Sequence, residues 1–261
     1  MSSPSPILVG LVARPLVGKR ALITGGSRGI GAEIARVFAA AGADVAISYS
    51  ASPDKAAEVV KSIEAAGQRG FAIKADHAVQ TEVTALVAEA AKLLGGIDIL
   101  VNNAGVSHYG SPLDAPSDEK DAIRTRLFAI NVTSVATAVR AAASILPKGG
   151  RIINIGSGLG QQVPWPGIAD YSATKAALTS YTKGWARDFG AQGVTVNLVQ
   201  PGHTDTEMNP ANGQMAALAA QTPAGRHGRP EEVAAAVLFL ATPAASFVNA
   251  AILTVDGGSG A

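Results

Sequence analysis

The sequence predicts an α/β fold: a doubly wound, mostly parallel seven-stranded sheet with helices on both faces. Three observations predict it. Short apolar runs alternate with helix-period stripes, and glycine stops most of the helices, the pattern of parallel strands joined by right-handed crossovers. Five strand ends collect glycine or polar residues, and only the C-terminal ends do so, where open parallel sheets bind their ligands. The 261 residues suffice for one domain with a large core, and no linker, repeat or low-complexity tract divides them. The expectation is a single domain over 1–261, with 1–17 as an N-terminal extension and 204–229 as a substrate-loop region.

The elements follow in order. An apolar run at 20–24 leads into a helix striped by Ile30, Ile34, Val37, Phe38 and Ala41 and ended by Gly42. A strand at 45–49 precedes Ser52-Pro53-Asp54, which reads as an N-cap, a first-turn proline and a helix-start acid. That helix ends near Gly67. A third strand at 71–75 is followed by a helix striped by Val83, Leu86, Val87, Ala90 and Leu94, stopped by Gly95-Gly96. The fourth strand spans 97–101, and a long helical region spans 118–146. Strand five at 151–155, a helix at 170–189 and strand six at 194–199 come next. A Pro/Gly-punctuated segment precedes a helix opened by Pro230-Glu231-Glu232, and 252–255 is the last strand.

Composition narrows the function. A net charge of +1 with no basic stripe argues against a nucleic-acid surface. With no cysteine, disulfides, thiol catalysis and cysteine metal sites are excluded, and four scattered histidines lack ligand spacing, so no metal is expected. The longest apolar stretch, 233–241, has nine residues, too few for a bilayer. The apolar run at 7–17 is broken by Arg14 and Pro15 and lacks a basic lead, so it does not read as a signal peptide. A cytoplasmic protein is the expectation.

The candidate chemistry lies at Tyr171 and Lys175, four apart on one helix face. A phenol loses its proton near pH ~10. An ammonium one turn away stabilises the phenolate, making a tunable acid/base. Alone the spacing is as consistent with a solvated surface pair, so the strand ends must decide. Gly25, Gly29 and Gly31, with Ser27, Arg28 and Ile30 between them, form a turn from strand to helix that lets backbone approach a pyrophosphate. No Gly-Lys-Ser/Thr follows, so it is not a P-loop. Ser157 is not a hydrolase nucleophile elbow, because Ile155 stands two before it.

The second strand ends in Ser48-Tyr49-Ser50 with no carboxylate for a ribose 2′-hydroxyl, and Asp44 lies at the wrong edge. Arg28 can instead reach a 2′-phosphate, helped by Ser48 or Ser50, and NADP(H) is the predicted cofactor. The bland alternative is a solvated loop arginine. Asp76 is placed for an adenine amino group or as a cap of the next helix. The turn at Asn102, Asn103, Ala104 and Gly105 would let backbone pass the cofactor's middle, and Ser157 can hold a carbonyl oxygen beside Tyr171.

These residues together resemble the short-chain dehydrogenase/reductases in their one-domain Rossmann form. The matching stretches are 24–31, Asn102-Asn103-Ala104-Gly105, Ser157, Tyr171/Lys175, Asn131, Pro201-Gly202 and Val255-Asp256-Gly257-Gly258, over roughly 18–261. The resemblance implies an NADPH-dependent ketoreductase. Tyr171 would protonate the oxygen, Ser157 would hold it, and Lys175 would bind the nicotinamide ribose and depress the tyrosine pKa. Asn131 would anchor a water relay to the lysine. Thr206 would contact the nicotinamide carboxamide, with Thr204 the lesser choice. It also implies a homotetramer joined through helices at 131–146 and 170–189.

The substrate side would comprise Ser157, Tyr171, His108, Leu159, Trp165, His203 and Met208. The family runs toward both 3-oxoacyl-carrier-protein reductases and broad carbonyl reductases. Arg124 and Arg126 would suit an acidic carrier, but 141–147 is apolar, and a small or hydrophobic ketone is preferred. A non-catalytic NADP(H)-binding regulator is the reading from another class. A sugar-nucleotide epimerase is disfavoured, since about 60 residues follow Pro201. Two departures stand out. The Ser157-to-Tyr171 connection, carrying Pro164, Trp165 and Pro166, is about one residue longer than the common family spacing. Asn249-Ala250 replaces a glycine before the last strand, so a positive φ there would be strained.

Overall fold

Seven strands pair in parallel throughout, in the order β3-β2-β1-β4-β5-β6-β7. They are β1 at Arg20–Ile23, β2 at Asp44–Tyr49, β3 at Gly70–Lys74, β4 at Ile99–Asn102, β5 at Arg151–Ile155, β6 at Thr195–Pro201 and β7 at Ile252–Val255. The computed structural model describes residues 14–261 except 112–113, 115–116, 214–215 and 221, and excepting the side chain of Leu218. Most of the N-terminal extension expected at 1–17, with most of the apolar run at 7–17, therefore lies outside the described residues. So do 214–215 and 221 of the expected substrate-loop region.

β4, β5 and β6 are buried at every position, as strands covered on both faces must be. Alternate residues feed two cores. Ile23, Val45, Ile47, Val101 and Ile153 pack beneath α1 (Gly29–Ala40), α2 (Pro53–Ala65) and α8 (Pro230–Ala241). Leu22, Leu100, Ile152, Val196 and Leu198 pack beneath α3 (Gln80–Leu94), α5 (Ser134–Ala142) and α6 (Ala169–Asp188). The glycine-ended stripes meet this geometry directly: Ile34 and Phe38 of α1, and Val83, Leu86, Val87, Ala90 and Leu94 of α3, are all buried. No helix among the described residues is long and apolar enough to cross a membrane. Order reverses between β1 and β4, so the crevice opens at their carboxyl ends.

Two elements carry detail beyond the expectation. The helical region expected at 118–146 is continuous from 118 to 142, with a π-turn at Ala129–Thr133 between α4 (Asp118–Phe128) and α5. A π-turn admits one extra residue and re-aims the side chains it carries. A short helix, α7 (Ala216–Ala220), also forms within the segment expected as loop.

The strain expected at Asn249-Ala250 is present. Ala250 has φ 60°, and it is the one non-glycine residue with positive φ among the described residues. Asn249 holds it there. Its Oδ1 accepts from Val196 N–H at 2.8 Å, and its Nδ2 donates to the Ala186 carbonyl at 3.2 Å. The side chain thus ties the approach to β7 to both β6 and α6.

Candidate active site

The glycine turn is built by exclusion. A Cβ on Gly31 would lie 2.4 Å from Asn103 Nδ2 and from the Gly25 carbonyl, and one on Gly25 would lie 2.9 Å from Ala104 Cα. Asn103 Nδ2 donates to the carbonyls of Thr24 and Gly25, both at 2.9 Å, while Thr24 Oγ1 accepts from the Asn103 and Ala104 N–H groups. The turn at Asn103, Ala104 and Gly105 therefore clamps the turn at 25–31. Arg28 is the N-cap of α1, but no side chain caps this helix and no acid stands in its first turn. Its free N–H groups and positive dipole end face the crevice as an anion site.

Ser48 corrects the sequence reading. It is fully buried, its Oγ accepts from Gly25 N–H at 2.9 Å, and it shares a 2.8 Å hydrogen bond with His77 Nε2. Such a hydroxyl holds the glycine turn from behind and has none of its surface to offer a phosphate. Ser50 is exposed, and Tyr49 packs partly against the core. His77 escaped sequence reasoning, since nothing local marks it. Burial pushes its imidazole down to about 4, so it is neutral near pH 7.

Asp76 also differs. Both carboxylate oxygens take a guanidinium nitrogen of Arg126, at 3.0 and 3.1 Å, and Oδ1 accepts from Ala78 N–H. These bonds, the Arg126 pair first, hold the carboxyl below its usual range. The pair joins the end of β3 to α4. It also removes Arg126 from the basic strip considered for an acidic carrier, and Arg124 pairs with Asp121 at 2.9 Å. Asp44 lies at the amino edge, opposite Arg20 and paired to Arg69, as expected.

At the carboxyl ends of β4 and β5 the catalytic candidates converge. Tyr171 is half-buried, and Ser157 stands close enough to its hydroxyl to act on its pKa, so the longer connection between them does not separate them. Burial pushes the phenol up to about 12, against the lowering effect of Ser157, and neighbouring Tyr109 raises it further. Lys175 is buried, and its Nζ donates to the Ile155 carbonyl at 3.1 Å. Burial brings its ammonium down to about 8.

Lys175 also faces the Tyr171 ring. Its Nζ lies 5.9 Å from the ring centroid. With its pKa pushed up by burial, the tyrosine is a protonated donor at neutral pH.

Asn131 stands in the π-turn. Its Nδ2 donates to the Val106 carbonyl and to Thr174 Oγ1, and its Oδ1 accepts from Val106 N–H. A Cβ on Gly105 would lie 3.4 Å from both Asn131 Oδ1 and Lys175 Nζ, which sets these groups side by side. The π-turn aims this amide inward, and local helix period gave no sign of it.

Beyond β6, Thr204 is buried and its hydroxyl bonds the Gly202 carbonyl, whereas Thr206 lies 3.4 Å from where a Gly29 Cβ would be. Gly202 packs directly on Asp256, which accepts N–H groups of Gly258 and Gly260 in the C-terminal turn.

On the substrate side, Gly110 N–H donates to the Gly167 carbonyl at 2.8 Å, drawing the His108 segment against the Trp165 connection. Leu159, His108 and Trp165 are half-buried, and Met208 is exposed. His203 stacks edge-on against His227, 5.9 Å between centroids, and burial and that neighbour lower its pKa. Tyr109 was missed by sequence reasoning because it belongs to no motif.

Residues 25–260 match the family model described as Enoyl-(Acyl carrier protein) reductase. The cyclic-di-GMP-binding biofilm dispersal mediator protein of Escherichia coli is 44% identical over 94% of this chain and 98% of its own. A 3-oxoacyl-[acyl-carrier-protein] reductase of Synechocystis is 38% identical over 93% of this chain and 97% of its own. Among solved structures, a short chain dehydrogenase from Burkholderia cenocepacia in complex with NADP superposes with a TM-score of 0.91 at 48% identity. It covers 95% of this chain and 100% of that one.

Proposed function

We propose, from the premise that this chain belongs to the short-chain dehydrogenase/reductase family of oxidoreductases, that it is an NADPH-dependent carbonyl reductase acting on a small or hydrophobic ketone. The observation that carries this reading is Tyr171 next to Ser157 and beside the buried Lys175 at the carboxyl edge of the sheet. The chain's residues fit NADP(H). The uncapped N-terminus of α1 suits a pyrophosphate, Gly25 and Gly31 leave room only for backbone, and Arg28 with no acid at the end of β2 suits a 2′-phosphate. When bound, this cofactor supplies the hydride.

The protein's own part is positioning and proton delivery. Ser157 and Tyr171 together offer two hydroxyls to one carbonyl oxygen, and the phenol releases its proton as negative charge grows there. Lys175, kept near the phenol by the Ile155 carbonyl, is the nearest cation to compensate the departing proton. Asn131 holds the Val106 backbone that lines this corner. A carrier protein is disfavoured as the presenter of substrate because Arg124 and Arg126 are both engaged in ion pairs. The reading extends to a cytoplasmic homotetramer joined through α5 and α6, where Tyr181 stacks on Trp185.

Initial rates with NADPH and NADH across a ketone panel test it. Tyr171→Phe is expected to lose ~10²-fold or more in turnover, the scale of general acid catalysis, with NADPH binding nearly kept. A second reading, a non-catalytic NADP(H)-binding regulator, has one observation in its favour: the name of the 44% identical relative. NADPH binding without turnover of any ketone would select it.

A further inference from the structure

Glu207, in the segment after β6, reaches back across the crevice to two cations. Its Oε2 pairs with Arg28 Nη1 at 3.1 Å, and its Oε1 pairs with Lys55 Nζ. These partners stand 179 and 152 residues away in the chain. They follow the carboxyl ends of neighbouring strands, Arg28 after β1 and Lys55 in the first turn of α2 after β2. A lysine in a helix's first turn opposes the helix dipole, so its placement wants another reason.

We infer that the Glu207 carboxylate occupies the place of the adenosine 2′-phosphate, as an internal competitor that sets NADPH affinity, with Lys55 as the second phosphate ligand beside Arg28. The inference rests on the NADP(H) reading. One carboxylate giving one oxygen to each of two cations does what a phosphate does there. All three side chains are about half exposed, so a free dianion can reach them. A phosphate monoester brings about −1.5 to −2 charge and three acceptor oxygens against the single charge of Glu207, and so wins the exchange. Thr206, next to Glu207, lies on Gly29, so the exchange also frees the segment lying over the glycine turn.

Isothermal titration of the whole protein with NADPH, NADH and 2′,5′-ADP, for wild type, Glu207→Gln and Lys55→Ala, tests this. Glu207→Gln is expected to bind NADPH and 2′,5′-ADP roughly two- to tenfold more tightly, the scale of exposed ion pairs, and NADH as before. Lys55→Ala is expected to weaken NADPH and 2′,5′-ADP only. Unchanged NADPH affinity in Glu207→Gln overturns the inference, as does weakening of both NADPH and NADH, which would make Glu207 a clamp over the cofactor. Wild-type protein that binds NADPH no better than NADH overturns the NADP(H) reading itself, and the inference with it.

Discussion

The two edges of the sheet use the same kinds of residue to opposite ends. At the amino edge the carboxylates answer cations, while Arg151, buried there, meets only carbonyls. Asp98 accepts from Arg20 Nε at 2.7 Å, from Nη2 at 3.1 Å and from the Arg20 backbone at 2.9 Å, and Asp44 pairs with Arg69. Burial of Asp98 opposes its ionisation, but the bonds from Arg20 outweigh it and hold the carboxyl low. At the carboxyl edge, beside the exposed ion pairs of Asp76 and Glu207, three ionisable groups lean on neutral ones: Lys175 meets a carbonyl, Tyr171 lies by a hydroxyl, and His77 bonds a serine whose other bond steers a glycine turn. Paired charges stabilise the fold and resist change. Unpaired ones cost stability and leave protons available for transfer.

That contrast can be broken or sharpened by substitution. The largest effect is expected from Tyr171→Phe, whose turnover should fall ~10²-fold or more while its thermal midpoint barely moves. A large drop in the midpoint would mean that the carboxyl edge also carries the fold.

His77 gives the next effect, read through pH. Its folded pKa of about 4 lies below the ordinary 6.5, so between these values the unfolded chain binds more protons and stability falls as pH falls. The loss reaches up to about 3 kcal/mol at pH 4. Chemical denaturation of His77→Gln across pH 4 to 7 should show this slope much reduced. Lys175 works at the other end with the same sign. Its folded pKa of about 8 against 10.5 makes stability rise between those values, and the raised phenol of Tyr171 turns it down above 10.

Arg20→Met probes the amino edge, leaving the buried Asp98 carboxylate with the backbone N–H of residue 20 but without its guanidinium. It should cost about 1–3 kcal/mol by urea denaturation and leave the NADPH Kd in place. The smallest effect is expected at Ala250, where glycine relieves the positive φ but loosens the unfolded chain. Ala250→Gly should stabilise by about 0.5–1 kcal/mol, measured as a rise in the thermal midpoint.

Much of the site was legible before any coordinates. Tyr171 and Lys175 fall on one face through helix period alone, and the glycines announce a tight turn whatever their partners. Asp44 could be assigned to the amino edge by its position in the strand, and Ala250 could be suspected from backbone sterics. What the sequence leaves open shares one cause. Ser48 stands at a strand end, but whether its hydroxyl faces solvent or His77 depends on a strand two elements later. Asp76 finds its partner in Arg126, fifty residues on.

Periodicity, turn chemistry and the polar strand ends are short-range rules, because side-chain direction repeats every 3.6 or 2 residues along the backbone. They determined the doubly wound sheet, the glycine turn and the Tyr171/Lys175 pair. Only the tertiary structure decided that Glu207 meets Arg28 and Lys55, that His77 backs the glycine turn, and that burial keeps the Tyr171 proton and loosens that of Lys175. Those outcomes depend on which distant surfaces exclude water from which groups, and no local pattern carries that information.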